Sequence, residues 1–332
     1  MQPVVFVHTP FPADSLQGNS VSARRIVGIL NEAGIAAEIS SGAIFRDSVD
    51  RPSRGLIALH ARRSESVVLE FRERYPDLPI ALLLSGSDLY RDFTPEQLCV
   101  APAVVAADVL VVAQEQSLTD LPPGLSSRSH CVPKSIDVEV PAWNPLPDLD
   151  SRPLRVLVNA HVRRQKNPLL LIDALEQLPV GEVEVIHVGD ESGGSEEEGL
   201  HREFRQRIGH MPNYDWRGLV PRAAAVGLAA GCDLLVNTSR MEGGGNAVCE
   251  ALHIGLPILA SEISGNTGLV GTDHPGLFSA DDPNQLAEFL KRARSDATWL
   301  AHLSAWSLER SQRFTREKET EAWVSLFGAI TR

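Results

Sequence analysis

The stretch "TSRMEGGGNAVCEALHIGLPILAS", Thr238–Ser261, contains a polar loop, a helical pattern and an apolar strand pattern in immediate succession. The residues before it, "DLLVN", form an apolar run that is typical of a buried parallel strand. Asn246 is a plausible N-cap of the helix, and Gly255 is expected to end it. Together these segments predict a strand–helix–strand unit of a parallel sheet that is covered by helices.

The same pattern repeats along the chain. Apolar runs occur in the first half as "PVVFVHT", "GLIALH", "PIALLLSG", "DVLVVA" and "SHCVPKS", and in the second half as "PLRVLVNAH", "VEVIHVGD", "CDLLVNTS" and "LPILASE". Helical patterns separate most of them. The proline-rich segment Val140–Pro153 is typical of a linker between two domains.

We therefore predict an α/β protein with two Rossmann-like parallel-sheet domains that face a cleft. The chain of 332 residues is long enough for two such domains. The first is predicted at residues 1–145 and the second at residues 151–311. A C-terminal helix at about residues 312–332 is expected to cross back to the first domain.

Composition narrows the class of function. The formal net charge of −12 argues against a surface for nucleic acid or anionic membrane, which needs clustered Lys and Arg. The four cysteines form no C-x-x-C pair, so neither a zinc site nor a disulfide framework is predicted. The first residues have no cationic segment, and no window reaches about 18 apolar residues, so a cytoplasmic protein is expected.

The glycine run at Gly243, Gly244 and Gly245 predicts an anion site. Glycine lets backbone N–H groups approach a ligand closely, and the start of a helix favours negative charge, which suits a phosphate or diphosphate. Glu250 can accept hydrogen bonds from the vicinal hydroxyls of a ribose, and Glu242 from those of a second sugar. The alternative is a solvated helix acid beside a flexible turn.

A basic loop follows the apolar run "LRVLV". It carries His161, Arg163 and Lys166 just before a helical pattern, where a lysine can meet a diphosphate as a point charge. Taken alone, the segment is equally compatible with an ordinary surface loop. The glycine run strengthens its assignment to the same diphosphate.

Three polar loops in the first half predict a site for a small anion. Each lies after an apolar run, and two of them open a helical pattern. "LHARRS" offers an imidazole and two guanidinium groups, with Ser64 as a natural N-cap. The residues concerned are Gly18, Asn19 and Ser20; His60, Arg62 and Arg63; and Ser85, Gly86, Ser87 and Asp88. Alternatively, the arginines are peripheral charges, Gly18 serves only a turn, and His60 is a structural residue.

No obligatory metal or other cofactor is predicted. The D-x-D pattern at Asp148–Asp150 lies in the proline-rich linker rather than at a strand end. Cys249 lies in the helix that follows the glycine run, and packing of its small apolar thiol is the expected role.

The motifs of the second half resemble those of a known enzyme family. "NTSRMEGGGNAVCEALHIGLPILAS" resembles the E-x7-E segment of GT-B glycosyltransferases of the large retaining family four. "NAHVRRQK" is similar to the Gly-Arg-Leu loop of that family, which ends in Lys-Gly. Ala160, His161 and Asn167 stand where the family has glycine, arginine and glycine, which indicates a subfamily.

Motifs of the first half indicate which subfamily. "LIALHARRS", "SGSDLYRD" and "QGNSVSARR", with the His-x-x-x-x-Lys form of the basic loop, are similar to the selenosugar synthases (SenB-type) of selenoneine biosynthesis. The resemblance implies a reaction of selenophosphate with a UDP-sugar, UDP-N-acetylglucosamine or UDP-glucose, to give a 1-seleno-sugar, UDP and phosphate.

The resemblance also implies roles for the residues. Glu242, His60, Lys166 and His161 would act in catalysis, while the first-half loops would hold selenophosphate. The remaining donor contacts would be the glycine run with Asn246, Glu250, Arg163, Trp216 and Gly218, the last two beside the nucleobase.

Two rival functions stay open. One is a conventional GT-B glycosyltransferase that transfers a sugar from a UDP-sugar to a hydroxyl group. The other is a non-catalytic protein that binds nucleotide-sugars. The sequence leaves the donor sugar, the anomeric outcome and the oligomeric state undecided.

Overall fold

The computed structural model describes residues 3–42, 52–145 and 149–330, and within these ranges it forms two α/β units. Unit 1 comprises residues 1–137 and 313–332, and unit 2 comprises residues 138–312. Residues 138–145, predicted in the first domain, thus belong to unit 2. There the backbone N–H of Trp143 donates to Ile254 O, and its indole Nε1 donates to Cys232 O. Asp148 of the D-x-D pattern lies outside the described residues.

Unit 1 contains a six-stranded sheet in the order β2-β1-β3-β4-β5-β6, and all neighbouring strands pair parallel. The strands are β1 (Val4–Thr9), β2 (Ala37–Ser41), β3 (Ser53–Leu59), β4 (Ile80–Leu83), β5 (Val109–Val112) and β6 (Ser129–Cys131). The helices are α1 (Gly18–Glu32), α2 (Glu65–Arg74), α3 (Pro95–Val100), α4 (Pro102–Ala106), α5 (Gln116–Asp120), α6 (Pro123–Ser126) and α14 (Arg316–Ile330), with a π-helical turn at Asp88–Asp92.

Both faces of this sheet are buried, as the continuous apolar runs predict. In β1, Val5 and Val7 pack in one hydrophobic cluster and Phe6 packs in another, because successive side chains point to opposite faces. Helix α1 and Trp323 of α14 cover the first face, and Phe71 of α2 belongs to the cluster on the second. The predicted C-terminal helix therefore packs on the first sheet.

Unit 2 repeats the plan with the order β12-β11-β10-β7-β8-β9, again parallel throughout. Its strands are β7 (Leu154–Asn159), β8 (Val183–Val188), β9 (Tyr214–Trp216), β10 (Leu234–Asn237), β11 (Ile258–Ser261) and β12 (Leu277–Phe278). Its helices are α7 (Pro168–Leu175), α8 (Glu198–Ile208), α9 (Arg222–Ala230), α10 (Asn246–Ile254), α11 (Ser264–Val270), α12 (Pro283–Ser295) and α13 (Ala297–Ser311), with 3-10 turns at Leu149–Ser151, Arg164–Lys166 and Ser195–Glu197.

The two sheets confirm the predicted Rossmann-like architecture of both halves. Strands β2 and β12 lie at sheet edges and were not among the predicted strands, because β2 is partly polar and β12 has only two residues. Within the described ranges, no helix combines the length and the apolar character needed to cross a membrane.

Candidate functional site

The loops after β7 and β10 meet at the carboxyl edge of the unit 2 sheet, where ligands of open parallel sheets bind. Two of the hydrogen bonds that join them end on backbone carbonyl groups. Thr238 Oγ1 donates to Lys166 O at 2.8 Å, and the Arg240 backbone N–H donates to Gln165 O at 2.9 Å. The predicted basic loop and the predicted glycine loop therefore belong to one site.

Lys166 and Glu242 form the centre of this site. Lys166 Nζ donates to Glu242 Oε1, and Ser239 Oγ donates to the same oxygen at 2.8 Å. Glu242 is only 8% exposed, and burial alone would raise the pKa of its carboxyl group. The Lys166 ammonium, the donated hydrogen bonds and the Arg163 charge outweigh burial and hold that pKa below its usual value, so Glu242 is ionised.

The glycine run adjoins this ion pair. Helix α10 begins at Asn246, and Gly245 occupies the N-cap position without any side-chain cap. The expectation that Asn246 is the N-cap is therefore wrong by one residue. A Cβ on Gly245 would lie 3.5 Å from Glu242 Cδ, so glycine keeps the space beside the carboxylate open. Gly255 ends the helix with a φ of 76°, as predicted.

Glu250 is buried inside α10 and already has two partners. Arg222 Nε donates to its Oε1 at 2.6 Å, and Asn159 Nδ2 lies 3.4 Å from its Oε2. Arg222 is the first residue of α9, and Asn159 is the last residue of β7. Sequence reasoning missed both residues. A lone arginine in the alanine-rich "PRAAAV" segment was the available signal for the first.

His161 lies in the loop after β7 beside the cations Arg163 and Lys166. Burial and the charges of these two residues lower the pKa of the imidazole. His161 Nδ1 lies 3.1 Å from the Asp190 backbone N and 3.2 Å from Asp190 O, so its role as acceptor or donor depends on the tautomer of the ring. The lowered pKa favours a neutral imidazole, and Asp190 fixes its position at the site.

The basic loop is held by a residue that the sequence did not single out. Glu197 is buried, and its Oε2 accepts from the Arg164 backbone N–H at 3.1 Å. This contact anchors the 3-10 turn that ends at Lys166.

The loops after β8 and β9 border the same edge. Gly189 has a φ of 133°, and a Cβ there would lie 2.0 Å from Ala160 O, so only glycine allows this approach. Trp216 Nε1 donates to Gly189 O at 2.8 Å, and the Gly189 N–H donates to Gly218 O at 2.8 Å. Trp216 and Gly218 therefore lie next to the loop of His161, as a shared site requires.

In unit 1, His60 and Asp88 organise the loops after β3 and β4. His60 Nδ1 lies 2.8 Å from Asp88 Oδ1. The other contacts of the Asp88 carboxylate are the N–H groups of Ala61 (3.0 Å), Arg62 (3.2 Å) and Ser85 (2.8 Å) and the Ser85 hydroxyl (2.8 Å). Asp88 was predicted to contact the acceptor, but it is fully buried and instead fixes these loops.

A cluster of hydroxyl groups lies at the start of α1. Ser20 is fully buried, and its Oγ lies 3.2 Å from Thr9 Oγ1 and accepts from Ser15 Oγ at 3.0 Å. Thr9 Oγ1 also accepts from the Phe11 N–H, and the Arg63 guanidinium lies 5.3 Å from the centre of the Phe11 ring. The predicted loops of Gly18 and Arg63 are thus brought together.

Two further predictions concern α2 and Arg62. Ser64 stands at the N-cap position of α2, but its hydroxyl donates to Leu59 O at 2.7 Å and makes no cap. The Arg62 side chain is 63% exposed, and its NH1 lies 3.9 Å from Asp92 Oδ1. Arg62 is therefore accessible to a ligand.

Residues 153–296 match the family described as glycosyl transferases group 1. The chain is 24% identical over 265 residues to D-inositol 3-phosphate glycosyltransferase of Corynebacterium urealyticum, covering 74% of this chain and 62% of that protein. It is 25% identical over 307 residues to glycosyltransferase 1 domain-containing protein 1 of Xenopus tropicalis, covering 84% of each.

Solved structures share the architecture over nearly the whole chain. HepE of Anabaena, in complex with UDP and glucose, has a TM-score of 0.78 at 18% identity, with 98% of this chain and 99% of that chain covered. Sucrose-phosphate synthase of Thermosynechococcus elongatus has a TM-score of 0.81 at 16% identity, with 99% of both chains covered. The chain has the GT-B fold that was predicted, and its residues 153–296 match the glycosyl transferases group 1 family.

Proposed function

We propose that the protein is a glycosyltransferase of the selenosugar synthase type. It joins selenophosphate to the anomeric carbon of a UDP-sugar, UDP-N-acetylglucosamine or UDP-glucose, and gives a 1-seleno-sugar, UDP and phosphate. The observation that carries the donor half of this proposal is the contact of Lys166 with Glu242 beside the glycine run that opens α10.

The unit 2 site suits a sugar diphosphate because Lys166 can bind the phosphates while Glu242 can accept a hydrogen bond from the sugar. The two negative charges of a diphosphate would draw Lys166 away from Glu242 and free the carboxylate for a sugar hydroxyl. Structures of HepE with UDP and with UDP-glucose support a uridine donor, since HepE shares this fold. We assign the glycine-run amides, Asn246, His161 and Arg163 to the diphosphate, Glu250 to the ribose, and Trp216 and Gly218 to the base.

The unit 1 loops suit a small anion. Helix α1 begins at Gly18 with no side-chain cap and no acidic residue in its first turn, so Gly18, Asn19 and Ser20 begin a helix with a favourable dipole. The Arg63 guanidinium lies over the ring of Phe11, close to the start of α1. Arg62, the preceding residue, has an exposed side chain. Selenophosphate is already ionised and carries a soft nucleophilic atom, so positioning by cations matters more than a strong base.

The proposed transfer is balanced in atoms and charge. Selenium attacks the anomeric carbon, the bond from that carbon to the diphosphate oxygen breaks, and its electron pair leaves on UDP. Lys166, His161 and the glycine amides stabilise the charge that develops on UDP. The glycosyl selenophosphate then loses its phosphoryl group, with net consumption of one water, and phosphate is released. No metal ion takes part in this scheme, which addition of a chelator tests directly.

The test is incubation of the protein with each UDP-sugar and enzymatically generated selenophosphate, followed by mass spectrometry for the selenium isotope pattern on a hexose or N-acetylhexosamine. We expect UDP and the seleno-sugar to appear together and to be lost with Glu242→Gln. Lys291→Met changes an exposed ion pair in α12 and serves as the control. Efficient transfer to an alcohol without any selenium product would refute the proposal.

A hydroxyl acceptor is the second candidate, and one observation favours it. An alcohol must lose a proton to react, and His60 beside Asp88 is a suitable proton acceptor. An acceptor screen with sugar alcohols and their phosphates, measured by UDP release, separates the two functions.

A further inference from the structure

Two energetically unfavourable backbone conformations lie at His60 and at the turn that contacts it. Its φ of 76° lies in the left-handed region, which residues with a Cβ rarely adopt. The chain after β4 forms a π-helical turn at Asp88–Asp92, an uncommon form that is often found at functional sites. Such geometries persist where the surroundings enforce them. Here they fix the imidazole between Asp88 and Ser87.

The three side chains form a chain of contacts. His60 Nδ1 lies 2.8 Å from Asp88 Oδ1, and His60 Nε2 lies 3.1 Å from Ser87 Oγ. The 2.8 Å contact of Nδ1 with Asp88 is electrostatic, because the ring N–H is not aligned for a hydrogen bond to Oδ1. The carboxylate charge favours a proton on Nδ1, which leaves the lone pair of Nε2 to accept the Ser87 O–H; Ser87 Oγ also lies 3.0 Å from Ser85 Oγ. An acid, an imidazole and a hydroxyl in this order are the arrangement that activates a serine nucleophile.

Solvent access and charge fit a phosphoryl substrate. His60 and Asp88 are buried, whereas Ser87 is half-buried and is the most exposed of the three residues. Asp92 Oδ2 lies 3.9 Å from His60 Nε2, but two arginines offset its charge. Arg91 Nε donates to Asp92 Oδ1 at 2.8 Å, and Arg62 lies 3.9 Å from the same oxygen. Arg62 is exposed enough to turn to a phosphoryl group.

A bound cation is the competing explanation. His60, Asp88 and Asp92 are, within the described ranges, the group whose ligand atoms lie close enough to share a metal ion. Both oxygens of Asp88, however, already accept hydrogen bonds from the loops after β3 and β4. The carboxylate is therefore better suited to orient His60 than to bind a cation.

We propose that Ser87 is the phosphoryl acceptor in the loss of phosphate, with His60 as its proton acceptor and Asp88 as a positioning residue. This inference rests on the proposed function, in which a glycosyl selenophosphate forms first. Ser87 Oγ attacks phosphorus, its proton passes to His60 Nε2, and the electron pair of the selenium–phosphorus bond leaves on selenium. The proton on His60 passes to the selenolate.

The second half of the cycle restores the serine. Water attacks phosphorus of phosphoserine 87 while His60 takes its proton, and that proton then passes to the departing Ser87 oxygen. In sum, one glycosyl selenophosphate and one water give one seleno-sugar and one phosphate, without an oxidant or a reductant.

The decisive measurement is the ratio of seleno-sugar to UDP released, with the glycosyl selenophosphate followed by mass spectrometry. We expect Ser87→Ala and His60→Gln to lower this ratio at least about 100-fold and to accumulate the glycosyl selenophosphate. Ser127→Ala removes an exposed hydroxyl in the same unit and should keep the wild-type ratio. A wild-type ratio for Ser87→Ala would overturn the inference.

A second measurement separates failure of this inference from failure of the proposed function. The whole protein is incubated with p-nitrophenyl phosphate alone, and acid-quenched samples are searched for a phosphorylated Ser87 peptide. Phosphate release and the peptide, both lost in Ser87→Ala but kept in Ser127→Ala, support the inference even if no selenium product forms. Absence of both signals in the wild-type protein contradicts it.

Discussion

Arg222 donates through Nε to the Glu250 carboxylate at 2.6 Å, and both side chains are largely shielded from solvent. A buried carboxylate stays ionised only with such a partner, because removal of a charge from water is costly. Arg222 thus fixes the orientation of the acid that we assign to the ribose.

This pair should behave as a unit in a double-mutant cycle. Arg222→Met leaves the buried carboxylate without its cation and should lower the free energy of unfolding by about 3–5 kcal/mol. Adding Glu250→Gln should recover part of the loss, so the two effects are not additive. Urea denaturation measures both. Arg217→Met breaks an exposed pair with Asp215 and should cost less than about 1 kcal/mol; an equal cost at both arginines would count against the coupling.

Lys166 should control the affinity for UDP. Its ammonium is the cation nearest Glu242, and loss of one hydrogen bond to a charged group weakens binding by about 10–100-fold. We therefore expect Lys166→Met to raise the Kd for UDP by that factor in isothermal titration calorimetry. Lys291→Met, which changes an exposed pair with Glu288, should leave the Kd unchanged. If both variants bind UDP as the wild type does, the diphosphate lies elsewhere.

Gly265 should be essential for the position of Glu242. A Cβ at Gly265 would lie 2.1 Å from Glu242 O, so Gly265→Ala must displace the backbone of Glu242, to which we assign a catalytic role. We expect loss of transfer activity and a lower Tm. Gly227 in α9 has no atom within 4 Å of an added Cβ, and Gly227→Ala should keep activity and raise stability slightly. An active Gly265→Ala protein would show that Glu242 tolerates displacement.

The C-terminal helix α14 should depend on one buried ion pair. Arg25 Nε donates to both oxygens of Glu319 at 3.1 and 3.0 Å, and the Ser135 N–H donates to Glu319 Oε2 at 2.8 Å. Glu319→Gln leaves Arg25 buried without its counter-charge and should cost about 3–5 kcal/mol in urea denaturation. Glu32→Gln breaks an exposed contact between the same two helices through Arg316 and is the matched control. Similar costs for both would contradict this account.

The sequence predicts the parts of this molecule that depend on local pattern. Apolar runs such as "LRVLV" need no partner to be recognised as buried strands, and the run of glycines before a helical pattern marks a close backbone approach. The edge strands at Ala37–Ser41 and Leu277–Phe278 were missed because the first is partly polar and the second has only two residues, which leaves little apolar pattern.

The sequence also did not predict contacts between residues that lie far apart along the chain. Arg222 lies 28 positions from Glu250, and His60 lies 27 positions from Ser87. No periodicity links such pairs, since the pairing is set by which strands become neighbours in the sheet. The sequence suggested that Asp88 binds the acceptor, whereas the fold gives its oxygens to the loop amides.

Acid should destabilise the protein through His187. This side chain is fully buried, its Nδ1 lies 2.7 Å from Tyr214 Oη, and its Nε2 lies 2.8 Å from Ala160 O. Burial lowers its pKa from 6.5 to about 4. Between pH 6.5 and about pH 4, His187 is protonated in the unfolded chain but stays neutral in the folded protein. The free energy of unfolding therefore falls by about 1.4 kcal/mol for each pH unit of acidification in this range.

His187→Gln isolates this contribution from those of His8 and His274, whose pKa values burial also lowers to about 4. The variant loses packing and should be less stable at neutral pH, but its stability should fall less steeply as the pH decreases. Urea denaturation at a series of pH values measures both effects. The exposed His210 in the same unit provides the control, since His210→Gln should keep the wild-type slope. Parallel curves for His187→Gln and the wild type would show that His187 takes up a proton equally in both states.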